Sequence, residues 1–243
     1  QLQGIYMGFS TAISGVFLPK VTAMVTKENN EKAISDLFIR TGRIQYIIIA
    51  FILTGFVVFG KSFIRLWAGS DYEDAYGITL CFFIPMTVPL IQNLGIIILQ
   101  ARNQMKFRST LYVVIAFVSL VISIPLSKQY GGIGCAISIA LALTTGQIIV
   151  MNIYYHRVIH IDILDFWKEI GKMSLVPFAI GSLSFYLFCI YEIHTVQIFI
   201  VCIFAFSCIY VPLFWFFGMN AYEKELFVSP VRRFVGRLQK NLQ

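Results

Sequence analysis

Residues Thr195–Gly218 read TVQIFIVCIFAFSCIYVPLFWFFG, a run without one charged side chain. A helix rising 1.5 Å per residue needs about twenty mostly apolar residues to cross the ~30 Å hydrocarbon core of a bilayer, and this run has that length. It is continuously apolar and far longer than a barrel strand. In lipid each backbone N–H and C=O must be paired internally, so such a run is a helix. Six more runs of the same kind lie upstream: Ile5–Met24, Thr41–Gly60, Tyr76–Gln100, Thr110–Ser127, Gly132–Tyr155 and Met173–Tyr191. The sequence therefore predicts an all-α fold, a polytopic membrane bundle of seven transmembrane helices over residues 1–219. A basic amphipathic tail is expected over 220–243.

Composition agrees with a lipid solvent. Of 243 residues, 58% are hydrophobic and 13% charged, and the mean hydropathy is +0.78. That is too little charge to coat a soluble surface. The 23 Phe and 12 Tyr suit hydrocarbon and interface alike. Cys81, Cys135, Cys189, Cys202 and Cys208 fall inside the apolar runs with no CxxC spacing, and are expected to be small buried hydrophobes.

The net charge of +7 is a topology signal. Sixteen of the nineteen Lys and Arg lie in the segments after the first, third, fifth and seventh runs, and three (Lys61, Arg65 and Lys128) lie in the alternate segments. The cation-rich side is cytoplasmic by the positive-inside rule, so the chain starts outside and ends in the cytoplasm, and nucleic acid is not an expected partner. Three cytoplasmic stretches read as interfacial helices. Asn30 caps one with Ile34, Leu37 and Phe38 on a face, and Asp162 one with Ile163, Leu164, Trp167 and Ile170. Ser229-Pro230 opens the third, whose Arg232, Arg233, Arg237 and Lys240 would meet anionic lipid.

No nucleotide, hydrolase or zinc motif is present. His156 and His160 stand four apart beside Asp162, but at a span end where polar residues are ordinary, so no metal or other cofactor is expected. All twelve acids lie outside the runs, which leaves no carboxylate at depth for proton coupling. At depth lie Gln92 and Asn93 in the third run and Gln147 in the fifth. Pro85 and Pro89 break the third helix by removing two N–H groups. A Pro-broken helix with midplane amides suits a substrate cavity; amides bonding a neighbouring helix are the alternative. Gly134, Ser138, Ala142 and Gly146 form a small-residue stripe, expected to be a packing face that accepts Ala but not Leu. Gly4/Gly8, Ser10/Ser14 and Thr11/Gly15 repeat the device in the first run.

Four stretches carry a family resemblance: Phe17-Leu18-Pro19-Lys20-Val21-Thr22, Leu66-Trp67-Ala68-Gly69-Ser70-Asp71-Tyr72 with Ala75, Leu99-Gln100-Ala101-Arg102-Asn103-Gln104-Met105-Lys106, and Tyr130-Gly131-Gly132-Ile133-Gly134-Cys135-Ala136. Their order and spacing along nearly all of the chain resemble the C-terminal half of the Wzx-type polysaccharide flippases, in the multidrug/oligosaccharidyl-lipid/polysaccharide exporter superfamily. The resemblance implies the second half of a fourteen-helix fold, two lobes around a cavity, in the bacterial cytoplasmic (inner) membrane. It implies transport of an undecaprenyl-diphosphate-linked oligosaccharide by alternating access, without enzymatic chemistry. The partners implied are that lipid-linked substrate, membrane lipids and an N-terminal half of the same protein, in keeping with a chain that opens on Gln1 without a leader pattern. Such relatives carry cations in the cavity, and here only Lys20, Arg40 and Arg43 come near it, at the cytoplasmic mouth.

The nearest alternative is a drug or peptidoglycan-precursor exporter of the same superfamily. A membrane polysaccharide polymerase would need a large loop with catalytic acids or arginines, whereas the longest outer loop is the short Lys61–Ala75 stretch. A seven-span receptor lacks both a retinal-linking Lys and an Asn-Pro-x-x-Tyr close in its last span.

Overall fold

Gly131 turns the chain back on itself. Its φ of 59° and ψ of −137° lie in a region open to glycine and closed to most side chains. The two arms it joins pack antiparallel: Gly134 lies against the Leu126 carbonyl and Gly146 against Ile115. Further along, the Tyr154 ring stacks on Phe107 and Arg108 meets Tyr155. Position by position, one arm retraces the other. Residues 134 to 146 supply a smooth face (Ser138 and Ala142 are buried with them), so the backbones come close enough for dispersion to hold the arms together in lipid.

The computed structural model describes residues 1–25, 31–190 and 195–229. Its elements are α1 (Leu2–Ala23), α2 (Glu31–Ala68), α3 (Asp74–Ile91), α4 (Leu94–Ala101), α5 (Met105–Leu143), a π-helical stretch Thr144–Val150, α6 (Met151–Arg157), α7 (Ile163–Ile190) and α8 (Val196–Phe217). A further helix occupies 221–229, and no strand occurs among the described residues. Five stretches are long and apolar enough to cross a membrane: Glu31–Ala68, Asp74–Ile91, the continuous run Met105–Arg157, Ile163–Phe188 and Val196–Phe217. α1, with Ser10, Thr11, Ser14 and Lys20, is not among them.

Cross-contacts fix the direction of each helix. Tyr6 and Ser10 of α1 meet Thr87 and the Leu90 carbonyl of α3 in ascending order, so these helices run parallel. Tyr46 and Phe59 of α2 meet Ser174 and Phe188 of α7 in the same sense. Phe51 and Phe59 of α2 meet Tyr210 and Phe199 of α8 in the opposite sense. The ends with Lys20, Arg40, Arg102, Lys106 and Arg157 thereby gather at one face of the bundle, the basic end. The tight turn Gly69–Glu73 lies at the other, where Arg65 donates to Glu73 at 2.6 Å and holds that carboxyl below the usual range.

The third run, expected to break at Pro85 and Pro89, stays helical through both prolines and divides into α3 and α4 at Gln92–Asn93. The expected interfacial helices at Ile34–Phe38 and Ile163–Ile170 are not separate elements; they continue directly into α2 and α7, because no proline separates them from the spans. At 38 residues, α2 extends about 57 Å, well beyond a bilayer core. The Asn30 cap and everything after Ser229 lie outside the described residues. Cys208 is exposed and Cys81, Cys135 and Cys202 are half-buried, not buried as expected. The exterior they belong to is apolar, with residues such as Phe178 (78% exposed), Phe204 and Phe217 facing outward, a surface suited to hydrocarbon.

Candidate functional site

The division of α3 from α4 shapes the centre of the bundle. Pro85 and Pro89 lie inside α3 and each removes an N–H and frees a carbonyl one turn earlier. Three residues past Pro89 the helix opens at Gln92 (φ −101°, ψ 14°). The bonds across the opening tighten, with Gly95 N–H donating to the Gln92 carbonyl at 2.8 Å and Ile96 N–H to that of Asn93 at 3.0 Å. Gln92 and Asn93 are both buried. Gln92 Nε2 donates to Asn152 Oδ1 at 2.8 Å, which also accepts from Trp167 Nε1 at 3.1 Å. One amide oxygen thus ties α3 to α6 and α7. Asn152 escaped the sequence reading, although an Asn five residues after Gln147 in the same apolar run was a visible signal, and Trp167 was read only as part of an interfacial apolar face.

Gln147 is held differently. It sits in the π-helical stretch Thr144–Val150 and is 2% exposed, yet neither amide atom has a hydrogen-bond partner among the described residues. π-Helical turns recur at functional sites because they aim a side chain that a regular helix would not. A buried amide left unmet costs roughly 1–3 kcal/mol. Polar groups also line the α1–α2 contact. Gln45 Nε2 donates to Ser14 Oγ at 2.7 Å and Ser10 Oγ to the Leu90 carbonyl at 2.6 Å, while Gln45 Oε1 and Thr41 Oγ1 have no partner among the described residues. The apolar core of the bundle thus contains uncharged polar groups that are only partly satisfied among the described residues.

The three candidate cations at the basic end fare unequally. Lys20 and Arg40 are exposed, and the Arg40 guanidinium lies over the Tyr222 ring at 5.3 Å. Arg43 is 5% exposed and committed. Its Nη1 donates to Glu169 Oε2 at 2.6 Å, its Nε to Glu223 Oε1 at 2.5 Å, and its Nη2 to Glu223 Oε2 at 3.0 Å. Glu223 is fixed in turn by a reciprocal cap. Asn220 N–H donates to its Oε2 and its own N–H donates to Asn220 Oδ1, both at 2.9 Å, starting the 221–229 helix. Arg43 thus locks α2, α7 and the segment after α8 together. The motif Asn220-Ala221-Tyr222-Glu223 was legible as a capping box and went unread.

Arg108, read from sequence as a loop cation, is 4% exposed inside α5. Its Nη1 donates to Tyr155 Oη at 3.2 Å and its Nη2 to Tyr112 Oη at 2.8 Å.

None of these groups lines the apolar groove of about 340 Å³ between α1, α2, α3 and α8, which is walled by Tyr6, Phe51, Phe56, Phe59, Phe83 and Phe206 among others. Among the described residues, no cluster of His, Cys, Asp or Glu could hold a metal ion. The site defines a helical bundle with a broken helix and uncharged polar groups buried within its core. Comparison with protein-family models, curated proteins and solved structures finds no match for the chain.

Proposed function

We propose that this chain is a seven-crossing lobe of a flippase that carries a lipid-linked oligosaccharide across the bacterial cytoplasmic membrane by alternating access. The observation that carries the proposal is the pair of interruptions that hold buried amides within the bundle: α3 opening into α4 at Gln92–Asn93, and the π-helical stretch holding the amide of Gln147, unmet among the described residues. Broken helices with polar groups at mid-depth are how transporters build sites and hinges within a bilayer. Uncharged amides of this kind suit sugar hydroxyls, which need neutral donors and acceptors.

Counting α1 and the two arms joined at Gly131 as separate crossings brings the five membrane-length stretches to seven. The alternating directions set residue 1 at the end opposite the basic one, and the positive-inside rule assigns the basic end to the cytoplasm. Gly4, Gly8 and Gly15 of α1 have open space where a Cβ would stand. A smooth exposed face of that kind is where a second lobe would approach closely. The proposal assigns no catalytic step to the chain. Among the alternatives, an exporter of another amphiphile shares every feature used here, whereas a polymerase finds no extended loop between α2 and α3, joined by the short 69–73 turn.

The test is restoration of surface polysaccharide in a flippase-deficient bacterium. A two-lobe protein containing this chain is expected to restore it, and the chain alone is not. Gln147→Leu in the two-lobe protein is expected to abolish restoration at unchanged membrane level. Full restoration by the Leu variant would remove Gln147 from the transport path, and restoration by the chain alone would end the two-lobe reading. Cysteine at Ser70 reacting with an impermeant thiol reagent, with cysteine at Asn103 silent, is the expected topology in a cysteine-free background.

A further inference from the structure

A guanidinium removed from water needs a counter-charge. Arg108 has none among the described residues: its polar partners are the two phenol oxygens of Tyr155 and Tyr112, and every ion pair at this end involves another cation. Nor does local sequence supply one, since residues 75–161 contain no Asp or Glu. Arg102, Lys106 and Arg157 share the same end of the α5 hairpin. Arg108 also lies in the first turn of the α5 arm that precedes Gly131, whose free N–H groups add to the positive potential there.

We propose that Arg108 binds the phosphate of an anionic bilayer phospholipid in the leaflet at the basic end. The approach is past Tyr112. Its ring covers the guanidinium at 5.1 Å and is 43% exposed, so a turn of that side chain uncovers Nη2. A phosphate there meets the planar fork with paired charge-assisted bonds, the geometry in which Arg exceeds Lys. The acyl chains have a track as well. Val113, Phe117, Leu120, Val121 and Ile124 are all more than half exposed along the same arm, deeper in the membrane than Arg108. A buried cation with no counter-charge among the described residues, on an arm whose outward face is apolar, suits a phospholipid's headgroup and tails. The site is independent of the flippase proposal, because its occupancy is read without transport.

The test is native mass spectrometry of the purified protein, titrated with phosphatidylglycerol, phosphatidylcholine or inorganic phosphate. Phosphatidylglycerol is expected to bind in preference to phosphatidylcholine, and inorganic phosphate not to displace it at equal concentration. Arg108→Gln should weaken phosphatidylglycerol binding about tenfold or more, the loss of one charge-assisted contact. Arg108→Lys keeps the charge and is expected to fold, losing a few-fold through the missing fork. Lys128→Gln, at the opposite end, should change nothing. Equal binding by wild type, Arg108→Lys and Arg108→Gln would overturn the site. Binding of inorganic phosphate at Arg108 with no lipid preference would overturn the lipid assignment.

Discussion

Arg43 and Arg108 are both nearly sealed from solvent at the same end of the bundle, and their surroundings are opposite. Arg43 meets two carboxylates, one of them 1% exposed, and a backbone carbonyl. Arg108 meets two neutral hydroxyls. The first arrangement is closed: every strong partner comes from the chain, and the product is a joint between helices. The second is open in charge, leaving an attraction for an anion from outside. Burial of a cation alone separates neither case; the partner set does. The same contrast recurs among uncharged groups, where Gln92 is paired with Asn152 and Gln147 is unmet.

The largest expected effect tests the charged half of this contrast. Arg43→Leu leaves Glu223 buried without its counter-ion and should cost about 3–5 kcal/mol, read as a large fall in the melting temperature in detergent. Arg108→Leu strands no carboxylate and removes an uncompensated charge, so it should be close to neutral or stabilising in lipid-free detergent. The double variant Arg43→Leu/Glu223→Leu should recover part of the loss but not the contribution of the Asn220–Glu223 cap, about 1 kcal/mol. Equal destabilisation by Arg43→Leu and Arg108→Leu would erase the distinction.

A smaller effect concerns the hairpin that carries Arg108. The sequence reading expected the Gly134–Gly146 stripe to accept Ala. A Cβ on Gly134 would fall on the Leu126 backbone carbonyl, which cannot move as a side-chain tip can. Gly134→Ala should therefore destabilise by about 1–3 kcal/mol and loosen the Arg108–Tyr155 contact, visible as faster hydrogen exchange at the start of α5. Gly8→Ala, with open space around it, should leave the isolated chain unchanged. An undisturbed Gly134→Ala variant would mean that the arms can separate without loss, and that Arg108 is less firmly placed than its partners imply.

Much of the architecture was legible because lipid enforces it. Long apolar runs such as Thr195–Gly218 have few alternatives to helix, and the Pro85–Pro89 spacing announced an interruption in the third run. Its position at Gln92–Asn93 was not legible, since the opening forms where α6 offers Asn152 as a partner rather than at the prolines. The π-helical stretch at Thr144–Val150 carries no local signature in its residues. Arg43 and Arg108 looked alike as flanking cations, because their difference depends on Glu169 and Glu223 arriving from α7 and from beyond α8, contacts more than a hundred residues distant. The continuations of α2 and α7 were missed for a simpler reason: charged residues were taken to end the spans, although charge ends burial in lipid and not helix.

The smallest stability effects belong to the uncharged pair, and they sharpen the contrast most because they differ in sign. Gln92→Leu removes the donor to Asn152 Oδ1, which keeps its bond from Trp167; the expected cost is about 1 kcal/mol, the net worth of one hydrogen bond. Gln147→Leu removes two amide atoms that have no partner among the described residues. Replacing an unmet buried amide by an apolar group of similar size should raise stability by about 1 kcal/mol. Differential melting curves of the two variants in one detergent give the comparison directly. A stabilised Gln147→Leu that no longer supports transport would show a residue kept for what it binds. A Gln147→Leu destabilised as much as Gln92→Leu would mean that this amide is met in the folded protein, and that the π-helical stretch serves packing instead.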